Sequence, residues 1–150
     1  ALAPMAHARA EAAAASIGGR LVTCGGVAEQ VALASAERFD PTAGVWEPLP
    51  ALAEARYGAC AAAVSGCLLV AGGYGLDDSA LGSIEFFDQD AWTWETLAPM
   101  SQPRAEAAVA VVAGRLYLCG GRDFEGRALR SAERYDPVEE AWEELPPMRC

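Results

Sequence analysis

The side chains able to do chemistry are few, and their spacing keeps them from cooperating. One histidine, His7, cannot assemble a copper, zinc or Ser-His-Asp type site within these 150 residues. All 11 basic residues are arginine, so a P-loop, a Schiff-base lysine and a lysine general base are excluded. The five cysteines, Cys24, Cys60, Cys67, Cys119 and Cys150, contain no Cys-x-x-Cys pair and no Cys/His cluster, and read as reduced thiols. Asp77 and Asp78 are a conceivable hydrolytic carboxylate pair. Adjacent loop residues point apart, however, and no partner carboxylate is identifiable, so a solvated loop is expected. The sequence therefore predicts no catalytic residue, no metal ligand and no cofactor.

Charge narrows the partners. A formal net charge of −10 repels nucleic acid backbones and favours basic protein partners, while Glu139-Glu140 and Glu143-Glu144 read as solvated turns. No stretch of eighteen apolar residues appears, and the Ala-rich start lacks the charged flank and apolar core of a signal peptide. A domain of the cytosol or nucleus, with no membrane contact, is the expectation.

The elements that hold these residues follow from a repeat. Trp46, Trp94 and Trp142 are 48 apart, as are Phe39, Phe87 and Tyr135 and the acids Glu37, Glu85 and Glu133. The pairs Gly25-Gly26, Gly72-Gly73 and Gly120-Gly121 recur at steps of 47 and 48. A period near 50 suits the four strands of one propeller blade. The small-residue runs 12–17, 59–64 and 107–112 predict a first, innermost strand, and the apolar runs 21–24, 68–71 and 116–119 predict a second. The third ends at the aromatic and an Asp-Pro turn (Asp88-Gln89 lacks the proline), and the fourth carries the Trp, placed to pack across the hairpin. Helix propensity of Ala12 to Ala15 points the other way, but the aligned third copy carries Val109, Val111 and Val112. The arginines Arg9, Arg56 and Arg104 recur once per unit and read as structural, with the repeated glutamates as one set of candidate partners.

The double glycine, the Ser-x-Glu-Arg-Tyr-Asp-Pro run at 131–137, the Trp and the Pro-Met endings at Pro99-Met100 and Pro147-Met148 resemble the kelch repeats over essentially the whole chain. The resemblance implies an all-β propeller segment of three four-stranded blades, at about 6–50, 53–98 and 101–146. It is similar to the substrate-binding propeller of BTB-kelch adaptors of cullin-type ubiquitin ligases, which implies a protein or peptide partner and contact with the cullin machinery through regions outside this chain. In such propellers the residues just after the inter-blade arginine and just after the double glycine line the peptide pocket. Here these are Ala10, Glu11, Tyr57, Gly58, Ala105 and Glu106, together with Val27, Tyr74 and Arg122. Tyr57, Tyr74, Arg122, Glu11 and Glu106 carry the chemistry, with Asp77, Asp78, Phe124 and Arg127 in the same loops. An actin-binding or scaffolding kelch protein is the alternative. A propeller enzyme of the copper oxidase or sugar epimerase kind is the less favoured reading from another class, and the copper ligands of the oxidases are lacking here.

Three blades do not close a ring. Since Pro4-Met5 is the tail of a unit and Pro147-Met148 ends another, both ends are expected to expose an apolar blade face. Further blades, favoured by the mid-unit start, or a second copy would cover them.

Overall fold

The computed structural model describes residues 2–149 and is all β among them. The first blade is built from β1 (Ala13–Ile17), β2 (Arg20–Cys24), β5 (Ala36–Asp40) and β6 (Val45–Leu49), hydrogen-bonded in that order as an antiparallel meander. Between β2 and β5 a two-residue hairpin, β3 (Val27–Ala28) with β4 (Val31–Ala32), interrupts the loop. The second blade comprises β7 (Cys60–Val64), β8 (Cys67–Ala71), β9 (Ile84–Asp88) and β10 (Thr93–Leu97). The third comprises β11 (Ala108–Val112), β12 (Arg115–Cys119), β13 (Ala132–Asp136) and β14 (Ala141–Leu145).

The Ala-rich runs are strands for a packing reason. β7 lies between β1 and β11, so the first strands of all three blades meet along one axis. Alternation across β7 splits its side chains. Ala61 and Ala63 pack into the core shared with the first blade, whereas Cys60, Ala62 and Val64 pack into the core shared with the third. A strand squeezed from both faces has room only for small residues, and that constraint outweighs helix propensity.

At the rim of each blade the predicted aromatic pair forms. Phe39 faces Trp46, Phe87 faces Trp94 and Tyr135 faces Trp142 in register, with ring centroids 5.3, 5.1 and 5.2 Å apart. Each indole Nε1–H reaches back to a carbonyl of the preceding connection, Ala3, Pro50 or Ala98, at 2.8–3.0 Å. The outer strand is thereby stitched to the segment that enters its own blade. The missing proline at Gln89 costs the turn little. Asp88 accepts from the N–H groups of Asp90 and Ala91, as Asp40 does from Thr42 and Ala43.

The repeated arginines and glutamates pair within each blade. Arg9, Arg56 and Arg104 reach Glu37, Glu85 and Glu133 at 2.8, 2.9 and 2.8 Å, with every one of these side chains at most 3% exposed. Each guanidinium also donates to the carbonyl of the first paired glycine and to the backbone and hydroxyl of the serine before the third strand. Each glutamate accepts two backbone N–H groups from the incoming connection, at Ala6 and His7, Ala53 and Glu54, or Ser101 and Gln102. One buried ion pair thus fixes glycine corner, third strand and inter-blade segment together. The Nε–H of all three arginines is buried without a protein acceptor, which makes that atom a shared feature of the motif.

The double glycines are required by close approach. All six have positive φ, and a Cβ on Gly25 or Gly72 would overlap the carbonyl oxygen of Arg56 or Arg104 in the next blade. A Cβ on Gly26, Gly73 or Gly121 would overlap the carbonyl of Ala10, Tyr57 or Ala105 in its own blade.

Among the described residues the cysteines are free thiols. Burial pushes Cys24 up to about 12 and Cys60 up to about 11, which keeps both protonated and inert. Cys150 lies outside the described residues.

Candidate recognition face

The connections sort onto two ends of the blades. The tight turns between first and second strands and between third and fourth share one end, where Gln89 donates to the Gly66 carbonyl of its own blade. An apolar cavity of about 200 Å3 lies near this end, lined by Val64, Leu69, Phe86, Leu97 and Tyr135 among others. The other end carries the variable loops and the inter-blade arginine segments.

At that end the two sets of sequence positions meet. Ala10 pairs with Val27, Tyr57 with Tyr74, and Ala105 with Arg122, each through two reciprocal backbone hydrogen bonds of 2.7–3.0 Å. The residue after the arginine and the residue after the double glycine therefore form one bridge per blade, which spacing alone did not reveal. The next residue in each blade, Glu11, Gly58 or Glu106, sits in the left-handed region with φ of 52°, 59° and 55°. Gly58 donates to the Glu11 carbonyl and Glu106 to the Gly58 carbonyl, so these backbones form a chain of bonds from blade to blade.

Only part of the predicted set shares a cavity. Glu11, Val27, Tyr57 and Asp78 line a cleft of about 550 Å3 between the first and second blades, with Gln30, Val31, Ala32, Gly75 and Leu76. The Tyr57 and Tyr74 rings lie tilted with centroids 5.2 Å apart, and the Tyr57 hydroxyl donates to Asp78 Oδ1 at 2.6 Å. That bond to the carboxylate, with burial and the charges of Asp78 and Glu11, pushes the Tyr57 phenol up to about 12. Burial and the charge of Glu106 push Tyr74 up as well. Both phenols stay protonated at neutral pH, and the single O–H of Tyr57 is already given to Asp78.

Asp77 and Asp78 diverge. Asp77 accepts from the N–H and hydroxyl of Ser79, and those bonds hold its carboxyl below the usual range, while Asp78 serves Tyr57. Asp77 is thus a turn residue and not part of the cleft lining. Gln30, Val31 and Leu76 are residues that sequence reasoning passed over. Val31 and Leu76, apolar residues in polar loops and largely exposed, were the available signal.

Arg122, Glu106, Phe124 and Arg127 belong to the third blade and lie outside that cleft. Arg122 bonds Glu106 at 2.8 Å and the Gly126 carbonyl at 2.9 Å. Arg127 is engaged by Asp123 at 2.9 Å and by Glu125. Burial acts to raise the Asp123 carboxyl, but the Arg127 N–H and guanidinium and the Glu125 N–H outweigh it and hold it low. Asp123, four residues before Arg127, is the loop's organiser and was not singled out from sequence. Phe124 projects from this loop, largely exposed.

His7 sits at the chain start, with Nδ1 3.6 Å from Glu37. Among the described residues no three His, Cys, Asp or Glu side chains converge as a metal site, and no helix is long and apolar enough to cross a membrane.

Three four-stranded antiparallel sheets gathered around one axis, with variable loops at one end, define an arc of a β-propeller. The kelch motif matches residues 8–53, 55–101 and 103–149, and the chain belongs to the kelch family. Among solved structures it is similar to the kelch-type propeller described as "Structure of YjhT", with a TM-score of 0.88 at 18% identity. The match covers 97% of this chain and 54% of that one, so the chain spans about half the length of its structural relative. No curated protein sequence matches it.

Proposed function

We propose that this chain binds a protein or peptide at the cleft between its first two blades, and that it prefers a basic segment. Binding and not catalysis is its role in this reading. The carrying observation is the composition of the cleft: Tyr57, its ring backed by that of Tyr74, lines it with Glu11 and Asp78, Val27, Val31 and Leu76 add apolar surface, and no cationic side chain lines it. A tyrosine held by a hydrogen bond, as Tyr57 is by Asp78, is a rigid anchor for an interface. Carboxylates flanking them, on a chain of net charge −10, steer and select cations. Glu11 adds support of another kind. Its left-handed backbone would suit glycine, which the equivalent Gly58 supplies, so a side chain is retained at a conformational cost.

The resemblance to BTB-kelch adaptors extends the proposal. In that setting the cleft receives the substrate of a cullin-type ubiquitin ligase in the cytoplasm, and the cullin is held by regions outside this chain. Whether the polypeptide carrying these blades recruits a cullin tests that extension separately.

Fluorescence anisotropy with labelled peptide pools, one rich in arginine and lysine and one rich in glutamate, tests the cleft itself. Saturable binding of the basic pool is expected, weakened at least about tenfold, or 1.4 kcal/mol, by Tyr57→Ala or Asp78→Asn with melting nearly unchanged. Binding that survives both substitutions, or a preference for the acidic pool, would sink the proposal.

A further inference from the structure

The two junctions between blades share their backbone bonds, with Gly26 and Gly73 donating to the carbonyls of Arg56 and Arg104 at 2.8 and 3.0 Å. Toward the tight-turn end they differ. At the first junction Arg38 of β5 pairs with Glu47 at 2.8 Å and lies over the Trp92 ring of the second blade, 4.5 Å from its centroid. Trp92 in turn meets Phe87 edge-on at 5.4 Å. A guanidinium is thus held between a carboxylate of its own blade and an aromatic face of the next.

At the second junction only the acid of this arrangement survives. Phe86 stands at the position of Arg38, Glu140 at that of Trp92, and Glu95 at that of Glu47, still opposite Phe86 across the strands. A neighbouring pair has changed in the same way. Arg20 bonds Asp40 in the first blade and Arg115 bonds Asp136 in the third, at 2.9 and 2.7 Å, whereas the second blade has Cys67 in place of the arginine and keeps the acid, Asp88. Arg134 also keeps its pair with Glu143. The second blade alone has lost both arginines, and neither Asp88 nor Glu95 has an ion-pair partner among the described residues. Strand alternation sets Cys67, Phe86, Asp88 and Glu95 on one face, the face toward the third blade. What lies between is the apolar cavity of about 200 Å3, with aromatic walls from Phe86 and Tyr135, a carboxylate from Glu140 and no cationic side chain. Cys67 lines it too, and burial with the charges of Asp88 and Asp90 pushes that thiol up, as a site that disfavours anions would.

We propose that this pocket takes the arginine side chain of a partner protein, its guanidinium resting on Phe86 with Glu95 and Glu140 as counter-charges, as Arg38 rests on Trp92 beside Glu47. The partner supplies the arginine that the second blade lacks. Room of about 200 Å3 falls below the roughly 300–1,000 Å3 of pockets for drug-sized ligands and suits one side chain. Arginine fits better than lysine, because its planar, weakly hydrated head stacks on an aromatic face while it binds carboxylates. Both walls belong to the second and third blades, so the pocket does not depend on what lies beyond either outer edge. It is also separate from the Tyr57 cleft at the other end.

A heteronuclear NMR titration of the 150-residue chain with the acetylated, amidated peptide Gly-Gly-Arg-Gly-Gly tests this. Saturable shifts are expected at the amides of Cys67, Phe86 and Glu140. Binding should weaken at least about tenfold for the peptide with citrulline, which keeps the shape and loses the charge, and for the Glu95→Gln, Glu140→Gln double variant. Phe86→Arg restores the residue type found here in the other two blades, so it should fold, pair with Glu95 and abolish binding. Tyr57→Ala should leave these shifts unchanged. Absence of the shifts, equal affinity for the citrulline peptide, or binding that survives either set of substitutions would overturn the proposal. Agmatine, a free guanidinium compound, binding at least about tenfold tighter than the peptide would also overturn it, in favour of a small-molecule site. Shifts confined to the Tyr57 cleft would overturn it while leaving the reading of that cleft intact.

Discussion

Arg56–Glu85 and Arg122–Glu106 are the same chemical pair at almost the same distance, 2.9 and 2.8 Å, in opposite surroundings. The first is 0% and 1% exposed at the side chains, and it also satisfies backbone groups from three separate segments. The second is about half exposed and ties only a loop to its neighbour. Distance therefore says little about what an ion pair does. Burial and the number of other groups that depend on it decide whether the pair organises the fold or merely poses a surface.

The sharpest way to break this comparison is to remove one partner of the buried pair. Glu85→Ala leaves the Arg56 guanidinium uncompensated and strips two backbone N–H groups of their acceptor, and should cost about 3–5 kcal/mol in urea denaturation. A loss no larger than that of an exposed pair would mean that the junction relaxes around it.

Acid titration probes the same contrast more gently. Burial acts to raise the Glu133 carboxyl, but Arg104 and the Ser101 and Gln102 donors outweigh it and hold it below the ordinary value; Ala6, Arg9 and His7 do the same for Glu37. Folded values below the unfolded value of about 4.3 mean that the unfolded chain binds more protons in acid. The stabilisation is present in full above that pH and is lost as pH falls through the depressed values. Denaturation midpoints should be flat from neutrality to about pH 5 and then drop, and Glu133→Gln should make the drop shallower.

The smallest effect is expected at the exposed pair. Arg122→Ala should change stability by about 0.5 kcal/mol or less. Glu106→Gly should even raise it, by up to about 1 kcal/mol, because the left-handed φ of 55° suits glycine. A melting temperature lowered by Glu106→Gly would show that the surface pair carries structural weight after all.

The regions differ equally in how well they could be read. Arginine, glutamate, double glycine and tryptophan recur at equal intervals because each junction solves one steric and electrostatic problem in one way, so register alone exposed blades, strand order and the aromatic pairs. The backbone bridges of the candidate recognition face recur once per blade, but its side chains follow no such interval. The β3–β4 hairpin turns at Glu29 and Gln30, whose φ values of 49° and 65° are those of a turn that usually announces itself by Asn-Gly, so the sequence hid it. Asp77 and Asp78 look interchangeable in sequence, yet their partners, Ser79 and Tyr57, are chosen by loop geometry. The cross-blade split between Tyr57 with Glu11 on one side and Arg122 with Phe124 on the other depends on which loops meet, and only coordinates supply that.

The backbone pattern shared by the junctions makes the blade a modular unit of inheritance. Each blade meets its neighbours through the same glycine corners, arginine carbonyl and small-residue inner strand, while outer side-chain contacts such as Arg38 over the Trp92 ring differ from joint to joint. A duplicated segment such as 55–101, spliced after itself in frame, would bring both halves of its own joint along. Such a chain can lengthen by copying without inventing an interface, while the loops at one end, which the joint leaves untouched, are free to diverge.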